Sequence, residues 1–133
     1  MNMEHLNVWA ILAAAASAFL VGGLWYSPVL LGRAWERANG FTESPKTQPK
    51  VFVLSFLFCL VMAVNLAFFL NDPKTTVAFG AIAGFLAGLG WAAMGLAVVA
   101  LFEGRSWKYS LVNGSYLTVA LTLMGVILGG WRK

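Results

Sequence analysis

The chain has 133 residues, of which 60% are hydrophobic and 11% charged, with a formal net charge of +4. A soluble domain of this size carries about a quarter charged residues and has too little interior to hide so much apolar surface from water. Composition therefore excludes a water-soluble fold and makes a lipid bilayer the expected solvent.

Four stretches carry no charge: Leu6 to Gly32, Val51 to Asn71, Thr75 to Phe102 and Tyr109 to Trp131. Each reaches the ~20 apolar residues needed to cross ~30 Å of hydrocarbon. None alternates with the period of two that a membrane barrel requires. Backbone polar groups in lipid must be satisfied within the segment, so these runs are expected to be helices. The expected fold class is all-α integral membrane: one domain, 1–133, forming a four-transmembrane-helix bundle with spans near 6–26, 51–71, 76–102 and 108–131.

The first run could be read as a signal peptide, since Ala14-Ala15-Ala16 imitates a cleavage site. Its leader lacks Lys and Arg and its apolar run is too long, which favours a true span. Trp25-Tyr26-Ser27-Pro28 then places two interfacial aromatics before a cap-and-proline pair. This spacing predicts that the first helix ends near Tyr26 and that a short amphipathic helix, 28–38, lies on the membrane surface. Leu30, Leu31, Ala34, Trp35 and Ala38 share one side of it, and Arg33, Glu36 and Arg37 another. One continuous helix kinked at Pro28 is the alternative. The next connection, Asn39 to Lys50, is polar, and Asp72-Pro73-Lys74 and Glu103-Gly104-Arg105-Ser106 are tight turns.

Basic residues set orientation. Arg33, Arg37, Lys46, Lys50, Arg105 and Lys108 fall in or beside the first and third loops, against Lys74, Arg132 and Lys133 on the other side. The bias predicts that the first and third loops are cytoplasmic and both termini outside, with dual insertion as the second choice. The expected location is a bacterial cytoplasmic membrane.

The first and third spans look like copies. Ala15, Phe19, Leu20, Gly22 and Trp25 align with Ala81, Phe85, Leu86, Gly88 and Trp91. Further on, Gly32-Arg33-Ala34-Trp35 echoes Gly104-Arg105-Ser106-Trp107. Such a parallel repeat predicts two repeated helical hairpins related by an axis along the membrane normal, as in some transporters and also in plain duplicated scaffolds.

Small residues at helical spacing form stripes: Ala14, Ala18 and Gly22 with Trp25 on the first span; Ser55, Cys59, Ala63 and Ala67 on the second. The third has Gly80, Gly84, Gly88, Trp91 and Gly95, and the fourth Gly114, Thr118, Thr122, Gly125 and Gly129. Close helix packing, within the bundle or in a homo-oligomer, is their ordinary use. Lining a cavity is the functional alternative. Trp91 lies mid-span, away from the interfacial belt, and its indole N–H needs a partner there. With Asn113 and Tyr116 it is the candidate lining of a ligand site. Arg33, Arg105 and Lys108 are candidate contacts for lipid headgroups.

No Asp, Glu, Lys, Arg or His lies inside the four uncharged runs, whereas ion-coupled carriers usually keep one within the membrane. A single histidine, His5, and a single cysteine, Cys59, assemble no triad and no thiolate metal site. Glu36, Glu43 and Glu103 are loop carboxylates without diagnostic spacing. No catalytic residue, cofactor or metal is expected, and without a continuous basic face no nucleic acid.

The pair Trp25-Tyr26-Ser27-Pro28 with Gly32-Arg33-Ala34-Trp35, and Phe102-Glu103-Gly104-Arg105-Ser106-Trp107-Lys108 leading into Asn113, resembles the small four-span membrane proteins grouped as domain of unknown function 1761. The resemblance covers essentially the whole chain and implies the four-span bundle and a membrane location, but no activity. Two functions are expected from the residues: a small oligomeric transport or channel-like protein with Trp91 and Asn113 near its path, or a non-transporting scaffold that binds anionic lipid. The partners implied are membrane lipids and further copies of the chain, the small-molecule ligand being unspecified.

Overall fold

A computed structural model describes residues 7–25, 34, 37, 49–70 and 74–131. The surface helix expected over 28–38 lies almost wholly outside the described residues. Four helices are long and apolar enough to cross a membrane: Val8–Trp25, Pro49–Phe69, Val77–Phe102 and Trp107–Gly130. The protein is an all-α, multi-pass membrane protein.

Local chemistry sets where each helix starts. Asn7 caps α1 (Val8–Trp25), its Oδ1 accepting from the backbone N–H groups of Trp9 at 3.0 Å and Ala10 at 3.2 Å. The second helix, α2 (Pro49–Phe69), starts on proline, which has no N–H to leave unpaired. Thr76 caps α3 (Val77–Leu86) through Phe79 N–H at 3.2 Å. The third span continues through a π-helical stretch, Ala87–Ala93, into α4 (Met94–Phe102). Ser106 caps α5 (Trp107–Gly130).

The helices pack in the order α2, α1, α5, third span, with α2 also touching α5. Between lipid-solvated helices the hydrophobic drive is weak, so close approach and hydrogen bonds must hold them. The contact of the third span with α5 is nearly backbone to backbone. A Cβ added to Gly80 would collide with the Gly125 carbonyl, and one added to Gly84 with that of Leu121. At Gly88 it would come within 2.7 Å of Thr118 Cα. On its other side α5 meets α1, where Ala10, Ala14, Ala15 and Ala18 are buried with Ala120 and Met124 in a common core. Cys59, Ala63, Leu66 and Ala67 of α2 complete that core, and Phe19 of α1 packs edge-on to Phe56 at 5.9 Å.

Polar side chains inside the spans satisfy themselves locally. Ser17 donates to Ala14 O at 2.7 Å, Asn65 to Val61 O at 2.9 Å and Thr122 to Thr118 O at 2.7 Å. Side-chain hydrogen bonds also join α1 and α5, donated in both directions. Trp25 Nε1 donates to Val112 O at 3.0 Å, and Tyr116 Oη donates to Ala18 O at 3.0 Å.

The π-helical stretch redirects the third span. Buried residues facing α5 recur at Gly80, Gly84 and Gly88, then after a step of five at Ala93. A π turn takes in one more residue than an α turn, so this step keeps the following residues on the same face. It also turns Trp91 and Gly95 away from α5. Trp91 is 73% exposed, and a Cβ on Gly95 would meet nothing within 4 Å. Gly95 therefore meets no neighbour within the described bundle.

Candidate functional site

The turn between α4 and α5 is built by two caps in succession. Gly104 adopts φ 72°, the left-handed conformation that glycine tolerates best. Arg105 N–H then returns to Ala100 O at 2.9 Å and Gly104 N–H to Leu101 O at 3.2 Å, the pair of bonds that ends a helix in a Schellman motif. Two residues later Ser106 starts α5, its Oγ accepting from Tyr109 N–H at 3.4 Å. The Glu-Gly-Arg-Ser-Trp sequence is thus a stop signal followed at once by a start signal.

This turn gathers positive charge and aromatic rings at the end of the bundle. The Arg105 guanidinium lies 4.9 Å from the Tyr109 ring centroid, and Lys108 Nζ lies 6.0 Å from that of Trp107. A cation over a ring face is attracted by its quadrupole, which holds both charges near the helix end. Arg105, Trp107 and Lys108 are exposed. Trp107 also stands at the mouth of a groove of about 410 Å³ between the third span and α5. Leu89, Met94 and Ala97 form one wall, and Leu111, Ser115 and Val119 line the other. The helices touch where Gly114 meets Ala93, a Cβ on the glycine falling 3.1 Å from the alanine Cβ.

A second groove, about 270 Å³, opens between α2 and the third span. Leu66, Phe69, Leu70, Phe79, Leu86 and Trp91 line it, with no charged side chain among the described residues of its wall. Trp91 packs edge-on to Phe69 here, with ring centroids 6.3 Å apart.

Neither of these two grooves is lined by all three residues singled out as a ligand lining. Trp91 belongs to the groove beside α2. Tyr116 faces α1, with Ala18 accepting its hydroxyl and its ring within van der Waals reach of Gly22. Asn113 is half-buried and donates to Tyr109 O at 2.9 Å. Of the headgroup candidates, Arg105 and Lys108 sit together at the turn, and Arg33 lies outside the described residues. Reading the sequence missed the groove wall formed by Leu89, Met94 and Ala97. Its only signal was the spacing of small residues, which an uninterrupted α-helix would put on a different face. Among the described residues no group of His, Cys, Asp or Glu could hold a metal ion.

No curated protein and no solved structure matches this chain. One family model does, described as protein of unknown function (DUF1761), over residues 9–129. That range takes in all but the end residues Val8 and Gly130 of the four spans and the complete turn motif from Phe102 to Lys108, and the chain belongs to this family.

Proposed function

We propose that this membrane protein binds anionic lipid at the end of the bundle that carries Arg105 and Lys108, and does not itself conduct solute. The observation that carries the reading is the cluster of Arg105, Trp107, Lys108 and Tyr109, held by a double-capped turn beside a groove that opens to lipid. Basic residues beside an anionic surface contribute about 1 kcal/mol each, and indole rings favour the headgroup level. The packing elsewhere also favours this reading. Alanine, glycine and leucine contacts pack α5 tightly against α1 and against Gly80, Gly84 and Gly88 of the third span, and the other groove has an apolar wall.

The basic bias favours a cytoplasmic position for this end. Two single-cysteine variants, both carrying Cys59→Ala, test that: Lys74→Cys should react with an impermeant maleimide from outside intact cells, and Ser106→Cys should not. The reverse pattern would reject the assignment. Lipid binding is tested by native mass spectrometry of protein released from nanodiscs of mixed phosphatidylglycerol and phosphatidylcholine. Changing Arg105 and Lys108 to Gln should lower retained phosphatidylglycerol at least about fivefold, the factor for about 1 kcal/mol. Unchanged retention would count against the reading.

A small oligomeric transport or channel-like protein is the second reading. The row of Ser110, Ser115 and Thr118 along the first groove favours it, because hydroxyls could line a path between copies. Its test is solute flux in liposomes, in parallel with the oligomer mass from the same spectra.

A further inference from the structure

We propose that the groove between the third span and α5 seats one acyl chain of an anionic phospholipid whose headgroup lies against Lys108 and Arg105. The inference rests on the lipid-binding reading above and gives it a ligand geometry.

Dimensions argue for an acyl chain. The groove runs along α5 from Trp107 to Val119, roughly 18 Å at the rise of an α-helix. Half of a ~30 Å hydrocarbon core is about 15 Å, so the groove is one leaflet deep. The groove holds about 410 Å³, within the ordinary range for a small-ligand site.

Chemistry varies along the groove as it does along a phospholipid. Trp107 stands at the mouth beside the exposed Lys108, with Arg105 two residues earlier at the turn. Ser110 follows, roughly 5 Å further in, where the ester groups of a seated lipid would lie. The deeper wall is mostly apolar, formed by Leu89, Met94 and Val119, with Thr118 directing its hydroxyl to Gly114 O at 2.9 Å. Neither groove has a charged residue in its described wall; the one along α5 is set apart by Trp107 at its end, with Lys108 Nζ 6.0 Å from the Trp107 ring centroid.

The test uses the full-length protein in nanodiscs with a trace of phosphatidylglycerol carrying a diazirine near the end of one chain. After irradiation, labelled residues are mapped by mass spectrometry. Labelling should concentrate at Leu89, Met94 and Val119, at least fivefold above Phe58 and Val61, which are exposed residues of α2. Ala97→Phe, which fills the groove, should abolish that excess while leaving Phe58 and Val61 unchanged. Ala97→Leu replaces it if the larger side chain prevents folding, judged by circular dichroism and gel filtration. Even labelling over all lipid-facing residues, or an excess insensitive to both substitutions, would overturn the groove as the seat of the chain. Equal groove labelling by a phosphatidylcholine probe would overturn the anionic headgroup, and the reading of the basic cluster with it. If the native spectra keep their phosphatidylglycerol selectivity while the groove labels evenly, only the groove is rejected.

Discussion

Glycine serves two different purposes here, and substitution separates them. Gly84 is needed because α5 occupies the space of its missing side chain, a Cβ there running into the Leu121 carbonyl. Gly84→Leu should separate the third span from α5 and lower the unfolding temperature in detergent by ten degrees or more, or prevent folding. Gly90 has open space around it. Gly90→Ala should therefore be neutral or mildly stabilising, by up to about 1 kcal/mol, since alanine is the better helix former. Equal effects of the two would mean that the helices do not meet as described. Gly104 is required for its backbone, not for space. With φ 72° and nothing within 4 Å of a built Cβ, Gly104→Ala should cost about 1 kcal/mol from left-handed strain alone. At this scale the sequence was partly legible. The turn glycine stands out between a carboxylate and a basic residue, whereas glycines at four-residue spacing look alike whether they pack or not.

At the scale of elements, the π-helical stretch decides what the third span presents. Gly88 and Ala93 both face α5 although five residues separate them. Removing Gly90 would leave a four-residue step, and an ordinary α-helix would then keep both residues on that face. Deletion of Gly90 should be tolerated, with a melting temperature within a few degrees of the parent. Deletion of Ile82, inside α3 and ahead of the stretch, should rotate Gly80 relative to Gly84 and destabilise the protein strongly. If both deletions are equally harmful, the stretch does not act as a one-residue insertion. The sequence reading assumed an unbroken α-helix and so placed Trp91 and Gly95 on the glycine stripe. No proline or polar residue marks the change, because a π turn in an apolar helix is set by packing against the neighbour. Helix ends were more legible, since Thr76 and Ser106 are caps by residue type and Pro49 suits a first turn.

For the whole molecule, the four spans follow from the absence of charge over four long runs, which the bilayer enforces. The order in which they pack, α2, α1, α5 and third span, could not be read in the same way, because every span carries small residues and any pair could have met along them. Trp25 and Trp91, aligned in the sequence comparison of the first and third spans, lean on different neighbours, Trp25 onto α5 and Trp91 onto α2. Exposed side chains such as Leu20, Phe58, Leu101 and Phe102 give the molecule an apolar exterior suited to lipid tails. Among the described residues, the cluster at the turn from α4 to α5 combines two exposed cations with aromatic rings at the edge of that exterior. Its selectivity for acidic headgroups is the central claim. Spin-labelled phosphatidylglycerol and phosphatidylcholine, compared by electron paramagnetic resonance in bilayers containing the protein, test it most directly. The account predicts a larger immobilised fraction for phosphatidylglycerol, reduced in 1 M salt, where the Debye length falls to about 3 Å, and abolished by changing Arg105 and Lys108 to Gln. Equal immobilised fractions for the two lipids at low salt would contradict it.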